Sequence, residues 1–458
     1  MQKTKESQDK LGTMPVGKLL LVMSLPMMIS MLVQALYNTV DAMFVARYSE
    51  EALTAVSLAF PFQNAMIAVG VGSGVGVSAL VSRSLGRGDR ARAERTANVQ
   101  MFLSLVYSLV FALAGGLFAR RLFMMQTADP AIVEYGTTYL TICCVFCIGM
   151  FYGQNLEKLL VATGSSVPSM ICQAAGAVVN IVLDPLLIFG LGPIPSLGVA
   201  GAAWATVIGQ TVAALLALIF NLKFNRATRF RFRQMLPEGQ IVRGIYAIGV
   251  PSMLTVFLGS AISYGMNAIV LPFSTTAAAV FGVWLKLQYF AFMPVFGLNN
   301  GTIAIYSYNY GARRMDRVAE TLRLSLIVSA AFNLLMTLVY ELAPATMLGL
   351  FSASDNMLAI GVPALRICAL SMVFGALCVI FSSSYQSLGY SGLTLLVNVC
   401  RQVLLTLPLA WLLSLSGVLE RVWLAVPIGE GLTCLLALLL SRFVMRRAKQ
   451  KLDGGADL

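Results

Sequence analysis

The sequence predicts an all-α polytopic membrane protein with twelve transmembrane helices in two pseudo-symmetric six-helix bundles. Three observations carry that prediction. Of the 458 residues, 58% are hydrophobic and only 11% are charged, with a mean hydropathy of +0.81, a balance foreign to water-soluble folds. Twelve apolar runs, each long enough to cross a bilayer, divide the chain. The second half also repeats the first at an offset of 225 residues, pairing Pro26 with Pro251, Gly86 with Gly311, Gly136 with Gly361, Cys143 with Cys368 and Gly164 with Gly389. Six spans per half is an even number, so both copies enter the membrane from the same side and the repeats are parallel in topology.

In chain order, residues 1–17 form a polar N-terminal segment without the short apolar core or cleavage site of a signal peptide. Span one (18–46) carries Pro26, which removes a backbone hydrogen bond and makes the helix a candidate hinge. Near its far end, Asp41 is costly if charged at membrane depth and must face a polar interior. Gln34, Tyr37, Asn38 and Asp41 share one helical stripe. Span two (52–82) holds glycines 70, 72, 74 and 76, which read as close helix packing or a flexible segment. No strand precedes them and no Lys-Ser/Thr follows, so they are not a phosphate loop, and ATP does not supply the energy within this chain.

Span three (95–119) precedes span four (131–155), which contains Cys144-Val-Phe-Cys147 without a second pair. All eight cysteines fall in apolar segments and read as small packing residues rather than metal or redox groups. Glu157-Lys158, at the end of span four, is expected to form an interfacial ion pair. Span five (167–190) carries Asn180 and Asp184, four apart on one face, followed by Pro185; span six (198–221) carries Thr206. These six spans make an N-terminal lobe, 18–221. A basic linker, 222–242, leads to spans seven to twelve at 243–271, 277–307, 318–342, 356–387, 393–415 and 420–442. They form a C-terminal lobe, 243–445, followed by a tail, 446–458.

Basic residues orient the spans. Lys3, Lys5, Lys10 and Lys18 sit before span one, and Arg83, Arg87, Arg90, Arg92 and Arg95 lie on the second connection. Lys158 lies on the fourth connection, and Lys223, Arg226, Arg229, Arg231, Arg233 and Arg243 on the sixth. Arg313, Arg314, Arg317 and Arg323 lie on the eighth, and Arg442, Arg446, Arg447, Lys449 and Lys451 near the tail. Against them stand Arg47, Arg120, Arg121 and Arg421. The bias predicts cytoplasmic termini in the inner (plasma) membrane. The net charge of +12 is therefore a topology signal, and nucleic acid is not an expected partner.

Spans one and five run outward and span six returns, so Asp41, Asn180, Asp184 and Thr206 converge at one depth from three helices. Hard cations favour such oxygens, making a Na⁺ site at these four residues the expectation. Two carboxylates in one desolvated site repel, so a proton is the competing occupant. With no histidine in the chain, proton chemistry falls to carboxylates.

In the C-terminal lobe, Lys286, Arg366, Arg401 and Glu430 lie within spans. Glu430 is expected to pair with Lys286 or Arg401 and lock helices together. The alternative is that surplus positive charge shapes a cavity or binds anionic groups. Met- and Phe-rich helices (Met23, Met27, Met28, Met31; Phe290, Phe292, Phe296) are packing or lipid-facing by default, with a minority suited to an adaptable cavity.

Ser24-Leu-Pro26, Tyr37-Asn-Thr-Val-Asp41, Ser82-Arg-Ser-Leu-Gly86, Gly198-Val-Ala-Gly-Ala-Ala-Trp-Ala-Thr206 and Tyr308-Asn-Tyr-Gly-Ala312 together resemble the MATE (multidrug and toxic compound extrusion) family, over about Gly17 to Met445. The resemblance implies a V-shaped pair of bundles exporting organic cations and other amphipathic compounds, driven by inward Na⁺ or H⁺. Its prokaryotic DinF/MepA-like branch implies a cation site at Asp41, Asn180, Asp184 and Thr206, with Tyr37 close by and Pro26 as the first-helix proline. Other branches place an essential acid on span seven. Arg243–Pro272 contains no Asp or Glu, which argues against coupling through the C-terminal lobe.

The expected function is cation antiport of small organic compounds by alternating access, by a monomer in the lipid bilayer without a cofactor. The runner-up is a flippase of the wider MOP superfamily, for a lipid-linked oligosaccharide or other anionic lipid precursor. A hydrolase using Asp41 and Asp184 as an aspartyl pair lacks any accompanying gating or zinc motif.

Overall fold

The computed structural model describes residues 10–190, 195–225, 227–231, 234–351 and 353–454. The basic residues Lys3, Lys5, Arg226 and Arg233 lie outside them. The N-terminal lobe comprises α1 (Val16–Tyr48), α2 (Glu50–Gly86), α3 (Arg90–Gln126), α4 (Pro130–Val145), α5 (Ile148–Ala162), α6 (Ser166–Ile188) and α7 (Val199–Phe224). The C-terminal lobe opens with α8 (Gly239–Val270), α9 (Thr275–Gly311), α10 (Met315–Leu342) and the short α11 (Pro344–Gly349). It continues with α12 (Asp355–Ala369), α13 (Ser371–Ser387), α14 (Ser391–Val399), a π-helical turn (Cys400–Leu404), α15 (Thr406–Ser414), α16 (Leu419–Trp423) and α17 (Ala425–Asp453).

Among the described residues, ten segments are long and apolar enough to span a membrane, and two bent helix pairs complete twelve. The fourth span breaks between α4 and α5 with a 49° bend, and its repeat partner breaks between α12 and α13 with a 41° bend. Hydropathy alone reads each pair as one straight span, because the apolar run continues through the break. Helix starts follow local chemistry. Ser49 caps α2 by accepting from Ala52 N at 3.0 Å, and its repeat partner Ser274 caps α9 by accepting from Ala277 N at 3.0 Å. Asp129 accepts from Ala131 N at 2.9 Å, with Pro130 opening α4.

The lobes meet along α2 on α8 and α9 on α1, near the ends that carry the basic connections, and glycine makes the approach feasible. A methyl group on Gly86 would collide with the Tyr308 carbonyl, and one on Gly311 with the Arg83 carbonyl. Since 83 and 308 are themselves repeat partners, this interface obeys a pseudo-two-fold axis. The same pairing holds deeper, where Gly76 abuts Ile245, Gly72 abuts Gly249 and Met253, Gly301 abuts Ser24, and Gly297 abuts Met28. The glycine run of the second span is thus a packing device: Gly72 and Gly76 face α8, while Gly70 and Gly74 face Gln154, Asn155 and Lys158 of α5.

Polar ties reinforce this end. Arg83 Nη2 donates to Ser387 O at 2.6 Å, and its guanidinium lies 5.3 Å from the Tyr310 ring centroid. Arg317 Nη2 donates to Met14 O at 2.7 Å, so the turn ahead of α1 is strapped to the opposite lobe. The linker is pinned to α3, where Arg231 N donates to Asn98 Oδ1 at 2.8 Å and Arg95 pairs with Glu238 at 2.6 Å. Toward the other end, α1 and α8 expose Leu36, Met43, Phe257 and Tyr264, leaving the lobes splayed as a V.

Candidate functional site

Span-one and span-five chemistry meets inside the N-terminal lobe. Asp184 is fully buried on α6 and Asp41 is half-buried on α1, and their carboxyl groups lie within hydrogen-bond reach of one another. Two bare carboxylates cannot stay in that contact, so the pair requires a shared proton or a bridging cation. Asp41 Oδ1 and Asp184 Oδ1 each lack a hydrogen-bond donor, which leaves one oxygen on each carboxyl for such an occupant.

Asn180 sits one turn before Asp184. With its amide turned to satisfy its neighbours, its nitrogen donates to Asp184 Oδ2 at 3.1 Å and its oxygen accepts from Thr206 N at 3.1 Å. The arrangement therefore joins α1, α6 and α7, as the sequence positions imply. Tyr37 lies next to both acids. The groups that meet here offer carboxyl, amide and hydroxyl oxygens, hard donors that suit a hard cation rather than a soft transition metal.

Three neighbours escape a reading of the sequence. Tyr139 and Cys143 of α4 lie on the Asp41 side of the pair, and Gln63 of α2 donates to Tyr139 Oη at 3.2 Å. The 225-residue repeat marks Cys143, but its nearness to Asp41 depends on how α4 packs. Cys144 and Cys147 do not form a centre: Cys144 contacts Met66 Sδ at 3.7 Å and Cys147 donates to Ser108 O at 3.5 Å. All eight cysteines are free.

Beside the acids lies a cavity of about 130 Å³, whose wall includes Tyr37, Asn180 and Thr206. Gln34 also lines it, from an exposed position on α1. Glu157 borders the same cavity and departs from the expected ion pair with Lys158. It accepts from Gln173 Nε2 at 2.7 Å, while Lys158 reaches across the lobe interface to donate to Asn300 Oδ1 at 2.6 Å. Adjacent residues on a helix point about 100° apart, so one turns into the lobe and the other toward the partner lobe.

Pro26 is buried in α1, which continues through it, and its neighbours Met27 and Met28 pack against Gly297 of α9. In the C-terminal lobe, Glu430 pairs with Arg401 at 3.6 Å, both nearly buried. Lys286 is exposed instead, 5.8 Å from the Phe351 ring centroid. Arg366 meets Glu341 at 4.0 Å on the surface.

Known proteins share this layout. The MatE family model matches twice, over residues 26–186 and 251–412, one copy per lobe. The multidrug export protein MepA of Staphylococcus haemolyticus is 26% identical over 430 residues, covering 93% of each chain. An FAD transporter of Shewanella oneidensis is 27% identical over 432 residues, covering 92% of this chain and 94% of its own. A solved outward-facing multidrug resistance MATE family transporter of the MOP superfamily superposes with a TM-score of 0.91, at 24% identity, over 98% of this chain and 99% of its own. With both halves matched and the bundle architecture shared, the chain belongs to the MatE (multidrug and toxic compound extrusion) family of membrane transporters.

Proposed function

We propose that the chain is a cation-coupled exporter of small amphipathic organic compounds, with Asp41 and Asp184 as the coupling site. One observation carries this reading: two carboxyls at membrane depth touch each other while each keeps an oxygen without a donor. Such a pair is costly unless a positive ion visits it. With the basic connections facing the cytoplasm, the lobes are closed on that side and open outward. Entry of Na⁺ or H⁺ to the pair then bends α1 about Pro26 and separates the α1–α9 contact. The ion and the exported compound need not touch; each has only to prefer a different state. The 130 Å³ cavity is smaller than drug-sized pockets, so the compound occupies the cleft between the lobes.

Similarity to MepA supports a drug-like cargo, and similarity to the FAD transporter supports a second reading, export of an anionic dinucleotide. A flippase for an anionic lipid precursor would draw on surplus positive charge in the C-terminal lobe, and the Arg401–Glu430 pairing leaves less of it. The deciding experiment uses proteoliposomes with a Na⁺ gradient and a pH gradient imposed separately, following ethidium and FAD in parallel. Ethidium movement under one gradient, abolished in D41N and D184N, is expected. Movement of FAD alone moves the assignment to the dinucleotide, and transport unchanged in both variants rejects the site.

A further inference from the structure

Glu157 is a buried acid for which the paired aspartates leave no role. Two rows of polar side chains lead to it. On α1, Asp41, Tyr37, Gln34 and Ser30 follow at helical spacings, and on α6 Asp184, Asn180 and Gln173 do the same. The cavity lies between the rows, with Tyr37 and Asn180 in its wall toward the aspartates and Glu157 and Gln173 toward the basic end. Asp184 lies eleven positions beyond Gln173 on α6, a rise of about 16 Å.

Along that length, polar atoms lack partners. Ser30 is fully buried and its Oγ has none, and Gln154 Oε1 and Gln173 Oε1 likewise lack donors. Acceptors left bare at membrane depth are expensive. Water or a small cation satisfies them, and the space holds on the order of four waters.

We propose that this cavity is a wet conduit for the coupling cation and that Glu157, held by Gln173, is a second station for that monovalent ion at its basic end. The proposal rests on the paired-aspartate reading and extends it. An ion released by Asp41 and Asp184 toward the cytoplasm passes Glu157, whose neighbour Lys158 makes the interlobe bond to Asn300. Occupancy of the station is therefore felt at a contact that breaks when the lobes swing. The titratable groups facing Glu157 are Lys158 on its own helix, Cys172 on α6 and, farther along the cavity, Tyr37 on α1. Toward this stretch of α5, α2 offers Gly70 and Gly74, and α7 lines the cavity with the uncharged Gln210.

The test compares full-length wild type, E157Q, E157D and D184N in proteoliposomes, with ethidium as reporter and Na⁺ and pH gradients imposed in turn. The active gradient identifies the ion as Na⁺ or H⁺. E157Q keeps the shape of the side chain and a polar partner for Gln173, so a purely structural role leaves it unharmed. The expected result is an efflux loss of about tenfold or more in E157Q, with E157D within about threefold of wild type. In the same preparations the cation-dependent rise in Tm persists in E157Q and vanishes in D184N. Efflux by E157Q within about twofold of wild type overturns the second station and leaves the first intact. Loss of the Tm response in E157Q also overturns it, by merging Glu157 with the first site. Wild-type transport by D184N overturns the paired-aspartate reading, and this proposal with it.

Discussion

The two lobes share a backbone plan but fill the same space with opposite chemistry. In the N-terminal lobe Met150, Gly153, Gly176 and Gly209 line the cavity. The partners of Met150, Gly153 and Gly176 225 residues on are Gly375, Cys378 and Arg401, and there the space is closed: Arg401 Nη1 donates to Gly375 O at 3.4 Å and Cys378 meets Cys434 of the last span. Glu430 fills the same space, pairing with Arg401 at 3.6 Å. Conversely, Asp41 corresponds to Met266, and beyond the extra residue of the π-helical turn Asn180 and Asp184 fall at Thr406 and Ala410. One copy thus has an open polar chamber beside an acid pair, and the other a plugged chamber with no acid at the matching positions. On the proposed reading, one lobe carries the ion and the other is the rigid partner against which it moves.

The largest effect that would break this contrast is in the plug. Removing one partner, by E430Q or R401M, strands a buried charge or acceptor and is expected to cost about 3–5 kcal/mol. The double variant R401M/E430L should recover most of that loss. Thermal unfolding of the purified protein measures both. Equal losses in single and double variants would show that Arg401 and Glu430 act separately, and failure of a stable double variant to transport would give the plug a functional role.

Next is the acid pair. D184N preserves volume but removes the charge, and a loss of about 100-fold in cation-driven efflux, near 2.7 kcal/mol, is expected. Introducing an acid at the matching C-terminal position, A410D in the D184N background, should not restore efflux, because Met266 stands where Asp41 would be needed. Whole-cell dye efflux at matched membrane levels tests this, and rescue by A410D would mean that the lobes are interchangeable.

How much of this was legible in the sequence follows the same division. The spans, the repeat and the convergence of Asp41, Asn180, Asp184 and Thr206 could be read because each rests on helical spacing and span direction, both one-dimensional properties. Tyr139, Gln63 and the inward turn of Glu157 could not, because they depend on the 49° break between α4 and α5, which no proline or continuous polar run announces. The helices also overrun the apolar runs, with α3 reaching Arg90–Gln126 rather than 95–119, because helical hydrogen bonding continues past the hydrocarbon edge. The Arg401–Glu430 choice over Lys286 needed the π-helical turn at Cys400–Leu404, which inserts an extra residue and re-aims Arg401.

A third experiment sharpens the comparison where the lobes are alike. G86V and G311V place bulk at equivalent points of the pseudo-two-fold interface, against the Tyr308 and Arg83 carbonyls. Each is expected to weaken closure at the basic end by about 1–3 kcal/mol, and by similar amounts. Cross-linking of cysteines placed across α2 and α9 reads the closed population. A strong inequality between the two variants would mean that the axis relates backbones but not energies.

The smallest effect concerns the charges that face outward. Arg366 and Glu341 approach only to 4.0 Å, with side chains 54% and 32% exposed. Such a pair gains little from Coulomb attraction in a high-dielectric surface and loses side-chain freedom, so R366A should change stability by about 0–1 kcal/mol. It should also leave efflux intact, since the residue faces neither the acid pair nor the lobe contact. A large loss of anionic cargo transport in R366A, with Tm unchanged, would instead assign this arginine to substrate recognition. The C-terminal lobe would then contribute chemistry of its own rather than only a rigid surface.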